Sequence, residues 1–157
     1  MHIWVDADAC PAVIKDTLFR AAVRVRVPLT LVANRWLATP PSPLIRCVQV
    51  AGGFDVADRE IVARVHAGDL VITADIPLAA AVVEAGCGAL NPRGELYGPH
   101  NIGEHLARRN FLEELRSAGQ ITGGPAPFSA NDQKAFAGQL DRLLARYTRA
   151  QSSPPPA

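Results

Sequence analysis

Lysine is nearly missing from this chain. Of its 16 basic residues only Lys15 and Lys134 are lysine; the other 14 are arginine. Against 15 acidic residues the formal net charge is +1, so no broad basic field advertises a nucleic-acid surface and any charged partner must be met locally. Cysteine is scarce as well. Cys10, Cys47 and Cys87 stand far apart, form no Cys-x-x-Cys pair and share no ligand-like spacing with the histidines, which excludes a zinc knuckle and a disulfide framework. No apolar run approaches the roughly 18 residues of a membrane span, and no signal-peptide pattern opens the sequence. A reduced, cytoplasmic protein with no membrane partner is therefore expected. The sequence leaves a monomer or a homodimer open.

At 48% hydrophobic and 20% charged, the 157 residues suit a single domain with its own core. The chain is organised around its first stretch, where the apolar run Ile3-Trp4-Val5 reads as a buried strand and delivers Asp6 and Asp8 at its carboxyl end. Pro11 stands where a helix begins, since the first turn needs no N–H there. Helical spacing then continues through Val13, Ile14, Leu18, Ala21 and Ala22.

Alternation of strand and helix persists. Residues 28–33 and 45–50 read as strands, separated by the proline-broken loop 39–43. Asp55 stands as an N-cap to a helix through Ile61 and Val65, which puts Asp58 on its first turn. A fourth strand, 70–74, ends at Asp75; Pro77 opens the next helix and Gly86 closes it. A short fifth strand spans 87–90. Asn101 and Glu104 resemble a capping box for a helix to Ala118. Ser129 is expected to cap a last helix carrying Phe136, Leu140, Leu143 and Leu144. Residues 1–150 are expected to form one domain, and the Pro/Ser stretch 151–157 a disordered tail.

This order implies an α/β fold: a mostly parallel central sheet with helices on both faces, a three-layer sandwich. The first and fourth strands would lie side by side at the switch point, where such sheets bind ligands. Asp6, Asp8, Asp55, Asp58 and Asp75 would then share one edge. Carboxylates crowded in this way oppose one another's ionisation unless a cation neutralises them. Hard oxygen ligands from several elements suit Mg²⁺ or Mn²⁺, and such ions serve phosphodiester hydrolysis. Thr73 would support a ligand by hydrogen bonding. The plainer alternative makes each aspartate a helix cap. For substrate contact the candidates are Arg35 and Trp36, an adjacent cation and aromatic, and Arg93 as a phosphate clamp. Arg108 and Arg109 read as a solvated helix face. Cys10 reads as a small buried residue, and Cys87-x5-Arg93 as a chance spacing.

Asp6-Ala-Asp8-Ala-Cys10-Pro11, Gly53-Phe-Asp55-Val-Ala-Asp58, Gly68-Asp69 through Thr73-Ala-Asp75-Ile-Pro77, and Gly123-Gly124-Pro125 with Phe128-Ser129 and Asp132 together resemble the YaiI/YqxD family of uncharacterised bacterial proteins. The resemblance runs from residue 1 to about 147. It implies a PIN-like domain, a fold of metal-dependent nucleases, with RNA as the favoured nucleic-acid partner and Mg²⁺ or Mn²⁺ as cofactor. It implies catalytic roles for Asp6, for Asp58 or else Asp55, and for Asp75. PIN nucleases often carry a further acid after the next strand; here Asn91 stands there, in a supporting place. A non-catalytic binding module is the alternative from another class. A haloacid-dehalogenase-type phosphatase using Asp6 and Asp8 is a lesser one, since no lysine lies between residues 20 and 130.

Overall fold

The computed structural model of the protein describes residues 1–124 and 126–152. Its six strands and five helices run in the order β1 (Ile3–Asp6), α1 (Ala12–Val25), β2 (Leu29–Ala33), β3 (Ile45–Gln49), α2 (Val56–Arg64), β4 (Leu70–Ile72), α3 (Ile76–Glu84), β5 (Gly88–Leu90), β6 (Leu96–Tyr97), α4 (Ile102–Ser117) and α5 (Ala130–Ser152). They build one sheet, ordered β3-β2-β1-β4-β5-β6. All pairings are parallel except β5 with β6. The expected adjacency of the first and fourth strands holds, with Ile3, Trp4 and Val5 in register with Leu70, Val71 and Ile72.

Side-chain alternation along the strands divides the core into two. Ile3, Val5, Leu29, Leu31 and Ile72 face α1 and α5, meeting Ile14, Leu18, Phe136, Leu140 and Leu144. Trp4, Val32, Val71 and Ala89 face the other way, onto Ile61 of α2 and Leu78, Ala79 and Val82 of α3. The molecule is thus a three-layer α/β sandwich, with α4 outermost and stacked on α3. None of α4's residues is fully buried, and Phe111 is 59% exposed.

One strand is added to those expected, and two local expectations are corrected. The antiparallel β6 follows a tight turn: Asn91 N–H donates to Glu95 C=O at 2.8 Å, and Gly94 takes a φ of +93°. A Cβ on Gly94 would come within 2.5 Å of the Ala135 backbone, so only glycine lets this turn rest against α5. Asn101 does precede α4, but its side chain caps nothing there; it closes the preceding turn by accepting from Gly98 N–H and donating to Leu96 C=O. The last helix runs on through Gln151 and Ser152, and residues 153–157 of the expected tail lie outside the described residues. Ser129 behaves as expected, its Oγ accepting from Asp132 N–H while Asp132 Oδ2 accepts from Ser129 N–H.

At the amino end of the β1–β4 pair sits a carboxylate that is 8% exposed, Asp69. It accepts from His2 N–H at 3.0 Å, Trp4 Nε1–H at 3.1 Å and His66 N–H at 2.9 Å. The His2 ring stacks on the Trp4 indole, with centroids 4.1 Å apart, and its Nε2 lies 2.8 Å from Thr30 Oγ1. Burial holds the His2 imidazole below its ordinary pKa, against the opposing pull of Asp69. One carboxylate therefore fastens the start of β1, an indole of the second core and the turn before β4. Removing it strands several donors at once, and each buried orphan costs about 1–3 kcal/mol. Asp69→Ala should lower stability by about 2–5 kcal/mol in denaturant titration with an unchanged m-value, well beyond an ordinary surface change.

Candidate functional site

Parallel strands end at the same side of a sheet, so β1 and β4 deliver Asp6 and the Thr73–Asp75 segment to one edge. Thr73, only 1% exposed, joins them. Its hydroxyl donates to Asp6 Oδ2 at 2.9 Å and accepts from Asp75 N–H at 3.0 Å. Asp75 is also the N-cap of α3: its Oδ1 accepts from Leu78 N–H at 3.0 Å, with Pro77 in the first turn. Cap and acid are therefore the same residue, and the two readings of Asp75 do not compete.

Asp58 arrives from α2, on its first turn, as its spacing predicts. Its carboxyl is pushed up to about 7, first by burial, then by the charges of Asp75 and Asp6, a hydrogen bond to Asp75, and the charge of Asp55. Burial also raises Asp6, opposed by the Thr73 hydrogen bond and aided by Asp75 and Asp8. Asp6, Asp58 and Asp75 thus form the centre of one electrostatic cluster, which Asp8 joins through Asp6 and Asp55 through Asp58.

Asp8 and Asp55 stand at the rim of this cluster. Asp8 is exposed, and its Oδ2 accepts from Asn34 N–H at 2.8 Å, holding the loop after β2 against the loop after β1. Asp55 occupies the N-cap position of α2 with a φ of +61° and makes no side-chain cap bond, so the cap expected of it is positional only. Arg35 and Trp36 lie on the loop that Asp8 steadies, Trp36 at 69% exposure and so outside the core.

Arg93 is already engaged. Nη1 donates to Asp132 Oδ2 at 3.0 Å and to Pro127 C=O, Nη2 donates to Ala126 C=O, and the guanidinium lies 5.9 Å from the Phe128 ring centre. Asn91 shapes the same turn, donating to the Tyr97 hydroxyl and accepting from Arg93 N–H. Cys10 is buried and its thiol is pushed up to about 12, so it is an inert packing residue. Cys87 precedes β5, at the opposite end of that strand from Arg93, and donates to His66 C=O.

The sequence does not single out Phe54, and it gives Arg109 only as part of a solvated helix face. An open cleft of about 490 Å³ is lined by Phe54, Asp55, Asp58, Arg59, Asp75 and Arg109 among others. Phe54, 91% exposed, follows the two glycines as part of a loop and carries no periodicity that would single it out. Arg109 belongs to α4, and only the packing of α4 on α3 brings it to the acids.

The donor chemistry fits a hard divalent cation, because positive charge would relieve the mutual elevation of Asp58 and Asp6. Among the described residues no group of three or more His, Cys, Asp or Glu side chains stands ready to hold a metal ion. An ion here would be held by no more than one or two carboxylates directly and would fill its remaining positions with water and phosphate.

A raised carboxyl is also a statement about stability. Unfolded, Asp58 titrates near the ordinary value of about 3.9; folded, it does so at about 7. The folded state holds the extra proton, so this contribution is complete below about pH 4 and disappears as pH rises through about 7. Wild-type stability should therefore fall between those limits by more than that of Asp58→Asn, read as the difference between their thermal midpoints across the range. A parallel pair of curves would remove Asp58 from the cluster.

Comparison with known proteins finds many bacterial relatives and assigns the site no activity. A UPF0178 protein of Bordetella avium (strain 197N) is 67% identical over 154 residues, covering 98% of this chain and 100% of that one. A UPF0178 protein of Halorhodospira halophila is 65% identical over 146 residues, 93% of this chain and 97% of its own length. A third, from Dechloromonas aromatica, is 64% identical over 146 residues with the same coverage. No solved structure matches. Among the described residues no helix is long and apolar enough to cross a membrane. The family described as "Uncharacterized BCR, YaiI/YqxD family" matches residues 4–146, and the chain belongs to it.

Proposed function

We propose that the acidic edge binds a divalent cation, Mg²⁺ or Mn²⁺, and that the protein hydrolyses phosphodiesters in nucleic acid, with RNA favoured over DNA by the PIN-like resemblance. The observation that carries this reading is the meeting of Asp6 and Asp75 on the Thr73 hydroxyl at the carboxyl ends of β1 and β4, beside Asp58 on the first turn of α2, whose carboxyl burial and these two acids push up. A cluster that resists its own ionisation at neutral pH is suited to an external positive charge. Of Asp6, Asp58 and Asp75, one or two would hold the ion directly and the rest through its waters, with Asp8 and Asp55 as outer acids. When bound, such an ion supplies a water of lowered pKa and offsets charge on phosphate oxygens.

The chain's own residues supply the rest. Thr73 orients Asp6 and Asp75 relative to each other through one hydroxyl. Phe54 presents an aromatic face at the cleft for a base, and Arg59 and Arg109 present positive charge beside it. Trp36 and Arg35 offer a second such pair beyond Asp8. Arg93 would have to leave Asp132 and two carbonyls to grip a phosphate, so Arg59 and Arg109 take the clamp role expected of it.

A non-catalytic binding module is the second reading, and Asn91 favours it. Where many PIN nucleases have a further acid, this chain has an amide whose side chain is engaged by Tyr97 and Arg93.

Calorimetric titration with Mn²⁺ tests the site. Asp6→Asn and Asp75→Asn keep an acceptor for Thr73 and for Leu78 N–H but remove the charge, so both should fold and both should lose binding. RNA cleavage should fall by more than about 100-fold in each, beyond the 10–100-fold typical of losing a group that only orients a ligand. Thr73→Val should fall within that smaller range. Wild type that takes up no Mn²⁺ at millimolar concentration, with or without an oligonucleotide, would end the hydrolytic reading. RNA binding without cleavage would decide for the module.

A further inference from the structure

A second groove, of about 530 Å³, borders the acidic cleft and shares Arg109 with it. Arg108, Arg109 and Arg116 line it from α4, together with His105, Tyr97, Leu112, Ile76 and Glu95. Ile76 follows Asp75 directly, so the groove begins one residue from the acids. Among the described residues neither Arg108 nor Arg109 stands in an ion pair. Arg109 donates only to the neutral amide of Asn110, at 3.2 Å. Arg116 lies 3.6 Å from Glu113, an exposed pair, while Glu95 is taken up by His105 at 3.0 Å. The His105 ring is held edge-on to Tyr97, with centroids 4.9 Å apart. Two of the arginines thus stand without a carboxylate in a chain whose overall charge is close to zero.

Placement makes this unusual. Arginine next to a carboxylate cluster would be expected to pair with it, and in this fold Arg109 reaches the cleft wall without doing so. A fork-shaped cation that lines both cavities suits an anion spanning the two. The three side chains sit at i, i+1 and i+8 along one helix, and a helix rises about 1.5 Å per residue. Arg108 and Arg116 are therefore roughly 12 Å apart along the axis, a span of two to three nucleotides rather than of one phosphate.

We propose that Arg108, Arg109 and Arg116 form a phosphate-binding track that continues the acidic cleft and holds substrate phosphates adjacent to the one at the acids. The substrate is then an oligonucleotide several residues long, and a mononucleotide or small phosphomonoester is a poor ligand. This rests on the nucleic-acid reading above but not on hydrolysis, because the track works without metal.

The test is fluorescence anisotropy with labelled 2′-O-methyl oligonucleotides of two, four and eight residues, in EDTA. Wild-type affinity should rise with length, and the double variant Arg108→Ala/Arg116→Ala, which spares the cleft-lining Arg109, should lose about tenfold on the octamer and little on the dimer. The slope of log affinity against log salt should shrink by about 0.7 for each phosphate the variant no longer neutralises. Arg142→Ala, on the remote α5, should bind as wild type, and thermal midpoints check that all variants fold. Unchanged octamer affinity and salt slope in the double variant would overturn the track. So would wild-type affinity independent of length. Mn²⁺ uptake read separately keeps the two ideas apart: an Mn²⁺-binding protein without length dependence loses the track alone, and a length-dependent binder without Mn²⁺ loses hydrolysis alone.

Discussion

Two carboxylates at opposite ends of one strand pair hold this molecule's working geometry. Asp69 gathers N–H donors at the amino end of β1 and β4, and Asp6 accepts the Thr73 hydroxyl at the carboxyl end. Neither strand is long: β4 has three residues and β1 four. Backbone ladders that short give little resistance to sliding, and a slip of one residue would exchange the faces of Trp4 and Val5. The side-chain bonds at each end set the register against that slip. They also set how far Asp6 stands from Asp75, on which the electrostatics of the cleft depend.

The charge layout follows from the same constraint. The chain is close to neutral, yet its charges are sorted by element. Acids come from strand ends, the first turn of α2 and the N-cap of α3, where helix dipoles favour negative charge. The bare arginines come from the middle of α4, which packs on α3 and so stands beside that edge. A balanced total conceals a floor of one sign with a wall of the other.

Much of this is readable in the residues alone. The apolar runs, with aspartate and proline at their exits, locate β1 and β4, and the order of elements locates the switch point between them. Asp6, Asp58 and Asp75 are legible because a turn's chemistry is written in neighbouring residues. Asp69 is not, since its partners His2 and Trp4 are 67 and 65 residues away in sequence and only strand pairing brings them near. The same holds for Arg93, which resembles a phosphate clamp in isolation and is tied to Asp132 in the fold. Asn101 and Glu104 have the spacing of a capping box, but the preceding turn claims the asparagine. Phe54 has no local mark at all, and Arg109 is marked only as half of an arginine pair that reads as a solvated helix face. Local pattern predicts elements; long-range pairing decides what a side chain is free to do.

The packing of α5 has a further bearing on how the protein is made. Phe136, Leu140 and Leu144 cover the same sheet face as Ile3 and Val5, beside Ile14 and Leu18 of α1. The turn at Gly94 and the Arg93–Asp132 pair receive that helix at its start. During synthesis the first strand therefore emerges well over a hundred residues ahead of the helix that covers it. At about 5–20 residues per second, the first core stays partly open for several seconds or more. Closure of that half-core waits until α5 has been translated, so the first strand must stay partly uncovered while almost all of the sheet is being made.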